Sequence, residues 1–315
     1  MKALLHYRAS PGFAAQLAAR AEAAGVEAVI VEEADEAGFA REIADTEVLL
    51  HVLKPVTAAM LEQAPRLKLV QKLGVGVNTI DLVACRERGV AVANMPGTNS
   101  QAVAEMTLAL MLAVLRRLPY FDALVREGEG WRPDLAVLDS VGELCGRTVG
   151  FVGYGGVPSR VAPAVAALGA RVIYTARSAK TGTAGAFVSL NEVVEQSDIL
   201  SLHIPLTEET RGMIGGLALW RMKPGSILIN TARGELVDQA ALCEALGTGQ
   251  LGGAGLDVFN GEPVDPDDPV LASPKVVLAP HVAWLTPETL ARSLDVALEN
   301  CRRARDGTPL LCQVA

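Results

Sequence analysis

Residues 150–158 read Gly-Phe-Val-Gly-Tyr-Gly-Gly-Val-Pro, and no other stretch of this 315-residue chain limits its fold so tightly. A short β-rich run, Thr148–Val152, leads into it. An alanine-rich helical segment, residues 159–168, leaves it, and a second β-run, Arg171–Thr175, follows. Strand, glycine turn, helix, strand is the order of a dinucleotide-binding unit, in which backbone N–H groups and a helix N-terminus hold a pyrophosphate. Gly153, Gly155, Gly156 and Val157 are the residues expected against that group. Two positions depart from the usual fingerprint. Pro158 stands where a third glycine lets helix and strand pack closely; a first helical turn tolerates it because that N–H lacks an intrahelical partner. The acidic residue expected at the end of the second strand is absent, and Thr175 takes its place. Taken alone, the loop can also be read as a glycine-rich turn in some other α/β protein.

The same alternation runs along the chain. Residues 2–7, 28–31, 47–53, 68–73 and 91–92 read as strands and 12–24 as a helix, making a first α/β unit. The apolar start, Met1 to Tyr7, is too short for a signal peptide and reads as a first strand. A second series of strands and helices runs from Gly146 to about Trp284, and residues 286–306 are helical again, with Pro287 in the first turn. Strands alternating with helices imply parallel sheets covered on both faces. Half the residues are apolar, ample for two cores at this length, and aromatics are only 4%, so those cores must be mostly Ala, Val and Leu. Residues 101–118 read as one long helix, apolar around most of its circumference, with Arg116 and Arg117 at its end to suit the helix dipole. Such a helix must be covered on all sides.

Three later stretches carry chemistry: Arg233 in Asn-Thr-Ala-Arg-Gly, Glu262 in Asn-Gly-Glu-Pro, and His281 in Ala-Pro-His-Val-Ala-Trp. Reducing a 2-oxo acid needs such a set. A guanidinium grips the carboxylate bidentately, an imidazole supplies the proton when hydride reaches the carbonyl carbon, and a carboxylate orients the imidazole and favours its charged form. Each residue by itself reads as a solvated charge, a turn residue or a structural histidine. They gain meaning together, because each follows an apolar run and ligands of open parallel sheets bind at strand carboxyl ends.

With these stretches, the runs Leu73-Gly74-Val75-Gly76-Val77-Asn78, Asn94-Met95-Pro96-Gly97-Thr98-Asn99, Asp198 to Thr207, Thr210-Arg211-Gly212 and Gly255 to Phe259 make the chain resemble the D-isomer-specific 2-hydroxyacid dehydrogenase family over nearly its whole length. The resemblance implies two doubly wound, Rossmann-like parallel-sheet domains with an active-site cleft between them. Residues 1–99 with 286–315 would form a discontinuous substrate-binding domain, and 100–285 the dinucleotide-binding domain. It makes Arg233, Glu262 and His281 catalytic. It places Val75 and Gly76 N–H groups, Arg233, Leu53 and Trp284 around the substrate, and Pro205, Thr210, Thr231, Ala232 and Asp257 beside the cofactor. Asp257 reads equally as a strand-end residue accepting backbone hydrogen bonds. The resemblance also implies a homodimer formed through the helix near 101–118.

Trp284 matches the His-x-Ala-Trp form of glyoxylate and hydroxypyruvate reductases; an indole there narrows a pocket and donates one hydrogen bond, which favours a short polar oxo acid. It can equally be a packing residue. Lys54, next to Leu53, is expected to be solvated; turned inward it would suit a second polar group on the substrate. For the cofactor, Thr175 removes the carboxylate that repels a 2′-phosphate, while Arg177, Ser178 and Lys180 supply donors and charge, so NADP(H) is expected over NAD(H), with both possible.

Composition narrows the partners. A net charge of -8 gives no basic stripe for nucleic acid or anionic lipid. The longest apolar stretch, 106–115, falls far below the ~20 residues of a membrane span. Five cysteines with no Cys-x-x-Cys pair argue for a reducing, cytoplasmic setting and against a zinc site, and read as small buried hydrophobes. Two other functions stay open: a non-enzymatic dinucleotide-sensing protein on the same fold, against which a chain ending soon after its last helix is expected to count, and a phosphite-type dehydrogenase, which would keep Arg, Glu and His.

Overall fold

The computed structural model describes residues 1–315. The chain divides into two compact units, Met1–Asn99 with Trp284–Ala315, and Ser100–Ala283, so Trp284 and Leu285 lie in the first. In chain order the first unit holds β1 (Lys2–His6), α1 (Pro11–Ala23), β2 (Glu27–Val31), α2 (Glu36–Ile43), β3 (Val48–His51), α3 (Ala58–Glu62), β4 (Leu69–Lys72), α4 (Leu82–Glu87) and β5 (Ala91–Ala93). The second holds α5 (Ser100–Leu115), α6 (Leu118–Arg126), α7 (Leu135–Leu138), β6 (Thr148–Val152), α8 (Pro158–Ala167), β7 (Arg171–Thr175), β8 (Ala186–Phe187), α9 (Leu190–Gln196), β9 (Ile199–Leu202), α10 (Gly216–Arg221), β10 (Ser226–Asn230), α11 (Gln239–Thr248), β11 (Leu251–Leu256) and β12 (Val276–Leu278). Helix α12 (Pro287–Asp306) returns to the first unit.

The first unit is a five-stranded parallel sheet of order β2-β1-β3-β4-β5. Strands β3 and β4 are buried along their whole length because helices cover both faces. Phe13, Leu17, Ala21, Leu294, Ala297 and Cys301 of α1 and α12 fill one face; Phe39, Ile43, Leu61 and Cys85 of α2–α4 fill the other. Helix α12 starts at Thr286, whose hydroxyl accepts the Thr289 N–H at 3.1 Å, followed by Pro287 where no amide is needed.

The second unit is a seven-stranded parallel sheet of order β12-β11-β10-β9-β6-β7-β8. The chain winds outwards from β6 in both directions, so the switch in winding falls between β6 and β9, where such sheets bind ligands past their strand ends. Helices α5 and α8 cover one face and α9–α11 the other. The fold class is therefore α/β with two doubly wound sheets.

Three expectations need correction. The helix predicted over 101–118 stops at Leu115: Arg117 adopts φ 52°, and α6 begins beyond it. The Arg117 guanidinium donates to the Gly252 carbonyl at 2.9 Å and to the Ser140 hydroxyl at 3.0 Å, holding the reversal by tertiary bonds instead of facing the helix dipole. Lys54 is half-buried, and its ammonium donates to the Glu33 carbonyl at 2.9 Å instead of being solvated. Of the cysteines, Cys85 and Cys301 are buried, Cys243 is half-buried, and Cys145 and Cys312 are exposed.

Two of the four histidines, His6 and His51, are buried, and His203 is half-buried. Burial pushes His51 and His203 down to about 3, with Lys72 adding to the effect at His51, and burial with Lys54 pushes His6 to about 4. The unfolded chain therefore takes up protons that the folded chain refuses as pH falls from about 6.5 towards those values. Each such group should cost up to about 1.4 kcal/mol of stability per pH unit in that window, with no effect above it. Melting temperature measured from pH 7.5 to 4.5 should fall below pH 6.5, and less steeply in His51→Gln. A flat profile contradicts the burial argument.

Candidate functional site

Arg233 lies three residues beyond β10, in a turn built by its last residue. The Asn230 side chain, 1% exposed, accepts the Ala232 N–H at 3.0 Å and donates to the Arg233 carbonyl at 2.8 Å. The neighbouring Thr231 hydroxyl lies 3.0 Å from that of Thr107 on α5. Gly234 then passes so close to Phe259 that an added Cβ would meet its carbonyl oxygen at 2.0 Å. Only glycine permits that approach, and it brings the Arg233 turn against the loop carrying Glu262. Burial lowers the Arg233 pKa, and Glu262 and Glu235 oppose the shift.

Glu262 follows β11. One carboxylate oxygen accepts the Phe259 N–H at 3.0 Å, and the other lies 2.5 Å from Nδ1 of His281. Burial raises its pKa, but the His281 hydrogen bond, the Phe259 N–H and Arg233 outweigh burial and hold the carboxyl below its ordinary value. It is therefore an anion at neutral pH, and a carboxylate accepting from Nδ1 commits the imidazole to that tautomer. The pair keeps access to solvent, with side chains 22% and 31% exposed.

His281 itself has φ 56°, a left-handed conformation that a non-glycine residue holds only when its surroundings impose it. Asp257 imposes it. Its carbonyl accepts the His281 N–H at 2.7 Å, and its two carboxylate oxygens accept the N–H groups of Val282 and Ala283 at 2.8 and 2.9 Å. Asp257 is 1% exposed, and burial raises its pKa against those two amides. Of its two sequence readings, the geometry displays the backbone-accepting one.

At the glycine loop, Gly153 (φ 93°) lies so close to the His203 carbonyl that a Cβ would meet it at 2.4 Å, whereas a Cβ on Gly155 would enter open space. The N–H groups of Gly155, Gly156 and Val157 donate to no group of the protein. They precede α8, whose first residue is Pro158. Three free amides at a helix start form an open cradle that fits a pyrophosphate. Thr175 ends β7 and its carbonyl accepts the Gly153 N–H at 2.9 Å, while Arg177 and Ser178 are exposed just beyond. Pro205 and Thr210 share one turn: the Thr210 hydroxyl donates to the Pro205 carbonyl at 2.9 Å and accepts the Thr207 N–H at 2.8 Å. Ala232 is half-buried in the Arg233 turn.

In the first unit, the turn after β4 is tied inward by its carbonyls. Met95 N–H donates to the Gly74 carbonyl at 3.0 Å and the Asn94 side chain to that of Val75 at 2.8 Å. The Val75 and Gly76 N–H groups have no protein acceptor, and Val75 is 42% exposed. Leu53, two residues past β3, is 38% exposed. Trp284 packs on this unit's core, its ring 6.4 Å from that of Tyr7. Sequence reasoning did not single out Asn230, Gly234 or the Phe259 amide. Asn94 and Gly234 stood inside motifs already noted, but only geometry shows what they do.

Residues 108–283 match the D-isomer specific 2-hydroxyacid dehydrogenase NAD binding domain. A glyoxylate reductase of Aeropyrum pernix is 44% identical over 251 residues, covering 76% of this chain and 74% of its own. One from Korarchaeum cryptofilum is 40% identical over 264 residues, covering 82% and 79%. Among solved structures, the NADPH-dependent glyoxylate/hydroxypyruvate reductase of Sinorhizobium meliloti, in complex with NADP and malonate, superposes with a TM-score of 0.84 at 29% identity, covering 100% of this chain and 96% of its own.

Proposed function

The chain belongs to the D-isomer specific 2-hydroxyacid dehydrogenase family, a hydride-transfer oxidoreductase with a nicotinamide cofactor, and from that premise we propose that it reduces a short polar 2-oxo acid of the glyoxylate or hydroxypyruvate kind, preferring NADPH to NADH. The observation that carries this reading is the Glu262–His281 pair at 2.5 Å on the loops following β11 and β12, with Arg233 after the adjacent β10. The bound dinucleotide supplies the hydride. Arg233 takes the substrate carboxylate as a two-pronged donor, His281 Nε2 delivers the proton to the carbonyl oxygen, and Glu262 holds the imidazole upright through Nδ1. For the first unit we assign the free Val75 and Gly76 amides to a substrate anion, with Leu53 and Trp284 as apolar neighbours. Gly153, Gly155, Gly156 and Val157 take the pyrophosphate, and the Thr210, Thr231 and Ala232 turns border the dinucleotide. Asp257 shapes the His281 loop from beneath.

The NADPH preference rests on Thr175, which leaves no carboxylate against a 2′-phosphate, and on exposed Arg177 and Ser178 beyond it. Initial rates with both cofactors on glyoxylate, hydroxypyruvate, pyruvate, phenylpyruvate and oxaloacetate test it. The shortest polar acids with NADPH should give the highest kcat/KM. A preference for NADH, or for phenylpyruvate, overturns the corresponding half of the proposal. Unpaired cysteines suit the cytoplasm, and no helix is long and apolar enough to cross a membrane.

We also propose a homodimer. Helices α6 and α7 bury no residue, and Leu118, Val125, Trp131 and Leu135 are 60%, 64%, 95% and 76% exposed. A concavity of about 700 Å³ beside them is lined by Leu112 of α5 with Phe121, Leu138 and Val141. An apolar patch of that kind marks an interaction surface. Sedimentation at micromolar concentration should report a dimer, and Trp131→Glu should weaken it; a wild-type monomer overturns the assignment.

A further inference from the structure

Ten residues, 176–185, join β7 to β8, and their composition is that of a mobile loop: Ala-Arg-Ser-Ala-Lys-Thr-Gly-Thr-Ala-Gly. Residues 177–180 are exposed, and Gly182 stands at φ 67°. The structure nevertheless gives this loop a fixed inner edge. The Tyr174 hydroxyl accepts the Lys180 N–H at 2.7 Å and donates to the Lys180 carbonyl at 3.3 Å, satisfying both backbone groups of one residue. The Tyr154 hydroxyl accepts the Ala184 N–H at 3.3 Å. The Thr183 hydroxyl closes the far end on the Gly185 carbonyl at 3.0 Å.

The two rings are tilted against each other, centroids 4.3 Å apart, and the ring of Phe187 of β8 lies 5.6 Å from that of Tyr174. Tyr174 is 1% exposed, so its hydroxyl has no exchange with water to compete for. In a chain with four tyrosines, two are spent under this loop. Tyr154 moreover sits between Gly153 and Gly155, so one side chain joins the pyrophosphate loop to the loop holding Arg177, Ser178 and Lys180. Lys180, Thr181 and Thr183 line a single concavity of about 480 Å³ with Tyr154 and Ser159.

We propose that the Tyr174 and Tyr154 hydroxyls are positioning groups for cofactor choice: they pre-shape residues 176–184 so that Arg177, Ser178 and Lys180 meet a 2′-phosphate without first being ordered. This rests on the NADPH reading above. A loop paying its ordering entropy on binding loses affinity, and a pre-shaped one does not. NADH, lacking the phosphate, draws nothing from those three side chains and is insensitive to where they stand.

The experiment measures Kd for NADPH and NADH by titration calorimetry on cofactor-free wild type, Tyr174→Phe, Tyr154→Phe and Arg177→Ala, with amide hydrogen exchange at Lys180 and Ala184. Each Tyr→Phe change removes only an oxygen. Tyr174→Phe should weaken NADPH roughly 3- to 10-fold, the effect of one ordinary hydrogen bond, shift NADH less than twofold, and speed exchange at Lys180. Tyr154→Phe should act in the same direction, with exchange speeded at Ala184, and being half-exposed it carries the test if the buried change unfolds the protein. Arg177→Ala should weaken NADPH roughly tenfold or more. If Arg177→Ala discriminates between cofactors while both phenylalanine variants weaken them equally or not at all, the hydroxyls are merely structural and this inference falls, leaving the NADPH reading intact. If Arg177→Ala does not discriminate, the NADPH reading fails and the inference with it.

Discussion

His281→Ala is expected to lower kcat by roughly 10²–10⁴-fold, the usual contribution of a positioned general acid, while dinucleotide affinity stays near wild type. His281 is the one histidine whose ring carries a carboxylate partner, at 2.5 Å on Nδ1, and its backbone is held left-handed by three hydrogen bonds to Asp257. The cofactor cradle of Gly155, Gly156 and Val157 does not use it. Glu262→Gln tests the carboxylate partner. Glutamine can still accept from Nδ1, but it carries no charge and can equally turn its amide NH2 towards the ring, so kcat should fall while dinucleotide affinity stays near wild type. Wild-type kcat in Glu262→Gln, or near-wild-type turnover in His281→Ala, sinks the assignment.

The alternation along the chain announced parallel sheets because their strands, buried on both faces, read as short apolar runs separated by helices, while the double winding was what the family resemblance implied. It also placed Arg233, Glu262 and His281 after three successive strands. Strands β10, β11 and β12 are neighbours in one parallel sheet, so their carboxyl ends open on the same rim. What brings the three loops together was not legible. Gly234 matters because Phe259, twenty-five residues later, crosses it, and nothing local to Gly234 says so. Asn230 looks like an ordinary strand-end residue until both halves of its amide are seen closing the Arg233 turn.

Errors at element ends have the same origin. Nothing between Leu115 and Leu118 forbids a helix, and the break comes from Gly252 and Ser140, which take the Arg117 guanidinium from elsewhere in the second unit. Lys54 looks solvated in a sequence; the Glu33 carbonyl that receives it lies beyond β2, outside any window around residue 54. Local propensity sets which elements exist, and tertiary hydrogen bonds decide where they stop.

Arg233 should show its role through KM and not through kcat alone. Asn230 fixes its backbone, burial strips water from its guanidinium, and the Glu262 carboxylate lies within its field. A partly desolvated guanidinium favours an anionic ligand whose two oxygens match its fork. Arg233→Lys keeps the charge but offers a single point of contact. Losing one charge-assisted hydrogen bond should cost about 1.5–3 kcal/mol, roughly 10- to 150-fold in kcat/KM, carried mostly by KM for the oxo acid. Arg233→Ala removes the fork and leaves Glu262 without its neighbouring cation, so the loss should reach roughly 10²–10⁴-fold, with kcat falling as well because the carboxylate is no longer oriented for hydride transfer. Binding of the dinucleotide alone serves as the internal control and should change little in either variant. The comparison is steady-state kcat and KM for one good oxo acid across wild type, lysine and alanine. A KM that stays constant through the series would assign the substrate carboxylate to some other cation and remove Arg233 from the binding set.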